Sequence, residues 1–320
     1  MIKNEVVSSP KKYIGIDIGG TTVKAVIINR NGEVLAEDSI ATDKDGDLLS
    51  NNIIDLVNRM IMAQGGVKCD YQGIGIGCPG LIDSKNGMVV FSGNLGLKYH
   101  QLGRAVSERL GMPVKITNDA NAAALGEAKF GAGKKYNDSI LITLGTGVGG
   151  GIVVDGKLFE GGNSAGTEIG HIVIVENGER CTCGRKGCLE AYASATALIQ
   201  QTRNAMSENK NSLMWKTYTP ETVTGKTPFE YADTDITAKV VVDKYISHLA
   251  CGIINIANIF RPQVVMLGGG VSNQKEKLTK PLQEILDKEL FAGQGYAPVK
   301  VVTASLGNQA GALGAAALMM

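Results

Sequence analysis

The chain has 320 residues, 44% of them hydrophobic, and mixes 32 basic with 31 acidic side chains for a formal net charge of +1. That length exceeds what one compact core usually supports, so two lobes are expected. The balanced charge argues against a nucleic-acid surface or a polyanion-binding tail, and 5% aromatic residues leave little for a base-stacking platform. No apolar run is expected to reach the roughly 18–20 residues of a membrane span, the longest candidate being the short, Gly-interrupted Ala310 to Met320. Met1 to Lys12 carries lysines without an apolar stretch of signal-peptide length. A cytoplasmic chain with no membrane or nucleic-acid partner is the expectation.

In chain order, Tyr13 to Ile18, Thr22 to Asn29 and Glu33 to Ile40 read as strands, the last two joined by the turn Asn29-Arg30-Asn31-Gly32. Leu48 to Ala63 places Ile53, Ile54, Leu56, Val57, Met60 and Ile61 at helical spacing. A buried strand at Gln72 to Gly77 and a helix near Gln101 to Leu110 follow. The pattern then restarts, with a strand at Val114 to Thr117, a helix at Ala120 to Phe130, and strands at Ser139 to Leu144 and Gly149 to Val154. Ile236 to Phe260 reads as a long helix, Gln263 to Leu267 as a buried strand and Gln274 to Leu290 as a helix. Val299 to Thr303 reads as a last strand and Asn308 to Met320 as an Ala-rich helix. The restart predicts a duplicated α/β unit and two lobes with a cleft between them. Residues 1–115, completed by a helix at 307–320, form the expected small lobe, and 116–306 the large one. Residues 204–231, with the single Trp215, carry no clear pattern.

Three glycine-rich turns are candidates for phosphate and nucleotide contacts. Asp17-Ile18-Gly19-Gly20-Thr21-Thr22-Val23-Lys24 lies between the first two strands, where backbone N–H groups approach a phosphate and Asp17 can hold a hydrated Mg²⁺. A plain Gly-rich hairpin is the alternative. Gly145-Thr146-Gly147 occupies the matching turn of the second unit. Its G-x-G-x-x-G text is followed by a strand, whereas a dinucleotide fingerprint requires a helix, and no P-loop motif occurs. Gly268-Gly269-Gly270 leaves room for a flat group such as adenine, or is simply a tight strand-to-helix turn. Asn118-Asp119 ends one strand and opens a helix. Asp119 is there either an N-cap or a general base facing the cleft.

Of six cysteines, Cys69, Cys78 and Cys251 read as ordinary buried thiols, whereas Cys181, Cys183 and Cys188 cluster within eight residues. With His171 ten residues upstream, they make a Cys₃His set, an ordinary closed structural zinc shell. Glu168 and Glu190 border it. In a cleft such acids are acceptors for sugar hydroxyls; on open surface they are only solvated.

Together these stretches resemble the ROK family of sugar kinases and sugar-responsive repressors over nearly the whole chain. The matching features are Asp17-x-Gly-Gly-Thr-x-x-Lys24, Asn118-Asp119-Ala-Asn121 with Gly126-Glu127, Leu144-Gly-Thr-Gly-x-Gly-Gly-Gly151, Glu168-Ile-Gly-His171, Cys181-x-Cys-Gly-x-x-Gly-Cys188-Leu-Glu190 and Gly268-Gly-Gly270. Within the family the likeness is to bacterial glucokinases.

The resemblance implies an actin-like, ribonuclease-H-like fold whose final helix returns to the N-terminal lobe, and ATP-dependent phosphorylation of a hexose. Glucose is the implied substrate, with fructose, mannose and N-acetylmannosamine as alternatives, and polyphosphate as an alternative donor. Asp119 is the implied general base; Asn118, Asp119, Glu168, His171 and Glu190, with Gly80 and Asn94, the implied sugar contacts. Asp17, Gly19, Gly20, Thr21, Thr22, Lys24, Gly145, Thr146, Gly147, Gly268, Gly269 and Gly270 would serve ATP and Mg²⁺. His171, Cys181, Cys183 and Cys188 would hold Zn²⁺, with the second ring nitrogen of His171 free for a hydroxyl. Leu97 departs from the pattern of many family glucokinases, which place a Trp near it, and this leaves sugar preference open. Dimers, or dimers of dimers, are common in the family. The family's repressors carry a helix-turn-helix ahead of the sugar module. Met1 to Lys12 is too short for one, so a sugar-sensing regulator is the lesser expectation.

Overall fold

The computed structural model describes residues 11–293 and 295–320. The expectations for Met1 to Lys12 therefore lie outside the described residues over 1–10. The chain divides into two units: the described residues up to Gly131 with Glu160–Gly166 and Asn308–Met320, and Ala132–Phe159 with the described part of Thr167–Gly307.

In the first unit β1 (Lys12–Ile18), β2 (Thr22–Ile28) and β3 (Val34–Ala41) form an antiparallel meander. Then β4 (Tyr71–Cys78) and β8 (Val114–Asn118) extend it in parallel, giving the order β3-β2-β1-β4-β8. The strand period explains what covers each face. Ile14, Ile16, Ile74 and Ile76 project into a core shared with Leu49, Ile53, Leu56 and Val57 of α1 (Gly46–Ala63) and Leu102 and Val106 of α2 (Leu102–Leu110). The intervening Gly15 and Gly75 present bare backbone to the C-terminal helix Ala310–Ala317. A β-carbon on either would lie within 2 Å of a helix carbonyl, 1.9 Å from Ala312 O and 1.7 Å from Ala315 O. That helix also packs on α3 (Asp119–Phe130), where a β-carbon on Gly314 would meet Ala122 O at 1.6 Å. Glycine and alanine thus allow helix and sheet backbones to touch.

The boundary expected at 115/116 is corrected to 131/132. Val114–Asn118 is a full sheet strand, registered Ile76↔Ile116 and Gly77↔Thr117 on β4, and α3 packs against the C-terminal helix of the same unit. The segment Glu160–Gly166 also belongs here, because Glu160 accepts hydrogen bonds from Thr117 Oγ1 (2.6 Å) and Ser84 Oγ (2.9 Å). A small antiparallel sheet of β5 (Leu81–Asp83), β6 (Met88–Ser92) and β7 (Leu97–His100) was not anticipated, since strands this short carry no measurable alternation.

The second unit repeats the topology. β9 (Ser139–Leu144), β10 (Val148–Val154) and β11 (Lys157–Phe159) are the antiparallel part, and β12 (Val264–Gly268) and β13 (Lys300–Thr303) run parallel to β9, in the order β11-β10-β9-β12-β13. The helices are α4 (Glu190–Ala193), α5 (Ala195–Glu208), α6 (Thr227–Tyr231), α7 (Ile236–Phe260) and α8 (Glu276–Glu289). Ile140, Ile142, Val265 and Leu267 of the sheet pack with Leu198, Tyr245, Leu249, Ile253, Leu278 and Leu282.

By length and composition α7 could cross a membrane, which corrects the expectation that Ala310 to Met320 is the longest apolar candidate. Its apolarity has a local cause: 61% of its most apolar stretch is buried. Trp215, in the stretch without pattern, packs on Met206, Met214, Val223 and Ala238 and donates from Nε1 to Met206 O at 3.0 Å.

Candidate functional site

In the first unit, strand ends bring two carboxylates together. Asp17 is the penultimate residue of β1, and Asp119 follows the last residue of β8. Both lie beside Gly77 of the intervening β4: a β-carbon there would stand 3.7 Å from Asp119 Cα and 3.8 Å from Asp17 Oδ1. Burial raises the pKa of Asp17 to about 6, the Asp119 carboxylate pushes it further, and Lys24, paired opposite it across β1 and β2, pulls it back. Burial likewise raises Asp119 above the usual carboxylate range, opposed by the Ala120 N–H, which donates to Oδ1 at 2.9 Å. The neighbouring Cys78 thiol is fully buried and pushed up to about 12 by burial and these two carboxylates, which keeps it an inert packing group.

The N-cap alternative for Asp119 is corrected. Asn118 is the cap, its Oδ1 accepting from Ala120 N (2.8 Å) and Asn121 N (3.3 Å), so the Asp119 side chain is not needed for that role. The Asn118 Nδ2 donates to Gly80 O at 3.1 Å, so two of the expected sugar contacts are joined. Gly80, at φ +114°, has no room for a β-carbon, which would meet Phe91 O at 2.2 Å. Asn94 is exposed, and Leu97 is a buried core residue. The turn from Gly19 to Thr22 closes with Gly19 N donating to Thr22 O (2.9 Å) and Thr42 Oγ1 donating to Gly19 O (2.8 Å). Gly20 is open on its α-carbon side, with no atom of the described residues within 4 Å of a β-carbon.

In the second unit the two remaining glycine turns lie side by side. Gly269, at φ +81°, packs so tightly that a β-carbon would be 2.5 Å from Leu144 O, just before Gly145. The Gly145 turn is held from behind: its carbonyl accepts from Ala195 N (2.8 Å), and the Thr146 carbonyl accepts from Thr196 Oγ1 (2.8 Å). No sequence motif marked Ala195 or Thr196, which are remote in sequence from the turn they hold.

The Cys₃His set converges. Ligand atoms of His171, Cys181, Cys183 and Cys188 all lie within 4.8 Å of one another. Cys183 Sγ and Cys188 Sγ are 3.7 Å apart, and Cys181 Sγ lies 3.6 Å from His171 Nδ1. A tetrahedral ion with metal–sulfur bonds of about 2.3 Å and metal–nitrogen bonds of about 2.0 Å requires edges of about 3.8 Å and about 3.5 Å respectively. The residues fit. Gly184 and Gly187 turn this knuckle at φ +93° and +82°, and Cys188 bridges to Val173. Glu168 is exposed, two residues before the tightly packed Gly170. Cys69 is exposed and Cys251 partly so, which corrects the reading of both as buried thiols; Cys78 alone of those three is buried.

Two sheets of like topology, each an antiparallel meander extended by parallel strands and closed by glycine turns, define an actin-like α/β fold of the kind found in sugar kinases. The chain belongs to the ROK family: a sequence model of that family matches residues 13–320. The glucokinase of Halalkalibacterium halodurans is 38% identical over 317 residues, covering 96% of this chain and 94% of that protein. A crystal structure of a ROK family glucokinase from Streptomyces griseus, in complex with glucose and AMPPNP, aligns with a TM-score of 0.75 at 33% identity, covering 96% of this chain and 98% of that one. The ROK hexokinase of Thermus thermophilus aligns with a TM-score of 0.79 at 31% identity, covering 95% and 96%.

Proposed function

We propose that this chain transfers the γ-phosphoryl group of ATP to a hexose hydroxyl, with glucose as substrate and glucose 6-phosphate as product. The observation that carries the reading is the Asp119 carboxylate at the carboxyl end of β8, released from capping by Asn118 and held up in pKa by burial. A general base works best with a pKa raised toward the operating pH. Its proposed task is to accept the 6-hydroxyl proton as that oxygen bonds to the γ-phosphorus, while the bond to the β-bridging oxygen breaks and ADP departs. Base assistance of this kind contributes about 10²–10⁴-fold, with positioning and charge neutralisation supplying the larger share.

The sugar contacts proposed are Gly80, Asn94, Asn118, Asp119, Glu168, His171 and Glu190. The phosphates fall to Gly19, Gly20, Thr21, Thr22 and Lys24 and to Gly145, Thr146 and Gly147, and the adenosine to Gly268, Gly269 and Gly270. Asp17 would hold Mg²⁺, which supplies neutralisation of phosphate charge. His171, Cys181, Cys183 and Cys188 would hold Zn²⁺, which supplies order to the knuckle. The proposal places the chain in the cytoplasm as a homodimer or dimer of dimers.

A coupled ADP-release assay across glucose, fructose, mannose and N-acetylmannosamine tests the reading. Sugar-dependent ADP production, fastest with glucose, is expected. ADP release indifferent to every sugar would overturn it, and a faster alternative hexose would reassign the substrate.

A further inference from the structure

The carboxylate of Glu190 joins two parts of the second unit that are distant in sequence. Its Oε2 accepts a hydrogen bond from Val148 N at 3.1 Å, at the base of the Gly145–Gly147 turn. The same oxygen lies where a β-carbon on Gly147 would stand, 2.4 Å away, so only glycine lets the carboxylate reach the turn. Its Oε1 accepts from Thr182 Oγ1 at 3.0 Å and lies 3.6 Å from Cys181 Sγ, in the Cys₃His knuckle. Glu190 itself opens α4, two residues after Cys188.

We infer that Glu190 is a positioning residue that locks the Gly145–Gly147 turn to the Cys₃His knuckle, so that the knuckle sets the turn's affinity for a nucleoside diphosphate even without sugar. The inference rests on the proposed kinase reading and adds to it a role distinct from contact with sugar. Among the described residues, three tethers hold the turn: Ala195 N, Thr196 Oγ1 and Glu190 Oε2. The first two donate to turn carbonyls. Glu190 alone among them accepts from a backbone N–H, that of Val148 immediately after the turn, and alone among them leads to the knuckle. A phosphate-binding turn works by pre-aimed N–H groups. Freeing the Val148 N–H from its acceptor lets the turn relax, and that ordering must then be regained when nucleotide binds.

The test measures ADP binding by calorimetry in the absence of sugar, with zinc content and circular dichroism on the same samples. In Glu190→Ala we expect the ADP dissociation constant to rise about tenfold, as for loss of one charge-assisted hydrogen bond. Glu190→Gln keeps an oxygen for Val148 N and an amide for Thr182, and is expected to bind ADP within about threefold of the parent chain. Thr182→Val, which retains the carboxylate and removes its hydroxyl hydrogen bond to the knuckle while leaving the Cys181 contact, is expected to fall between them and reads the same connection should the Ala variant not fold. Unchanged ADP binding in Glu190→Ala or Thr182→Val overturns the inference, as does a loss in Gln equal to that in Ala. Failure of the unsubstituted chain to bind ADP would instead sink the kinase reading.

Discussion

The carboxylate of Asp17 rests directly on the α-carbon of Gly311: a β-carbon built on that glycine would stand 2.6 Å from Oδ2. The C-terminal helix therefore forms part of the wall that buries Asp17, and burial is the main reason its pKa rises to about 6.

A consequence for stability follows from that shift. The folded pKa lies above the ordinary 3.8, so between these values the folded chain binds more protons than the unfolded one. Stability then falls as pH rises from about 4 to about 6, and the deficit persists above that window. Asp17→Asn removes the deficit, and without divalent cations we expect it to be more stable than the parent at pH 7 by on the order of 2 kcal/mol, with the gain vanishing below pH about 4. Urea unfolding from pH 3.5 to 8 measures this. An Asn variant less stable at pH 7 would show that Lys24 stabilises the carboxylate more than burial disfavours it.

For Asp119→Asn we expect a folded chain that retains zinc and binds glucose, with kcat lower by about 10²–10⁴-fold. The amide accepts no proton, while the Asn118 cap keeps α3 in place. Steady-state kinetics with a sugar-binding titration on the same sample decide it; near-normal kcat removes Asp119 from the role of base.

Cys183→Ser is expected to lose zinc and thermal stability together. Cys183 supplies one of the four converging ligand atoms, and structural zinc contributes on the order of 10 kcal/mol in small sites. Cys69→Ser, outside the cluster, is the control and should change neither. Full metal occupancy in the Cys183 variant contradicts the ligand set.

Gly75→Ala should cost at least about 3 kcal/mol, because its β-carbon would overlap the Ala315 carbonyl, a backbone atom with no rotamer to escape to. Gly20→Ala faces open space and should change stability by less than about 0.5 kcal/mol. Thermal melts of the pair compare a glycine needed for packing with one placed for access.

Much of the architecture was legible in the chain. Ile236–Phe260 and Ser139–Leu144 have the bounds their periodicity predicts, and the restart is a real repetition of one sheet topology, although it begins at Ser139 rather than at Val114. The glycine turns and the Cys₃His set were legible because each is local: ligand spacing and backbone freedom are written within a few residues.

Contacts between distant segments were not legible. Sequence left Asp119 divided between cap and base; only packing shows Asn118 taking the cap and Asp119 lying near enough to raise the pKa of Asp17. Nothing local placed residues 116–131 and the C-terminal helix in one unit, since that depends on α-carbons of Gly126 and Gly314 meeting backbone on the opposing helix. Nor did spacing reveal that one carboxylate, Glu190, spans from the knuckle to Val148. Local backbone preference and hydrophobic period determine elements; which buried polar groups meet is decided only when the chain closes on itself and burial makes each unpaired group costly.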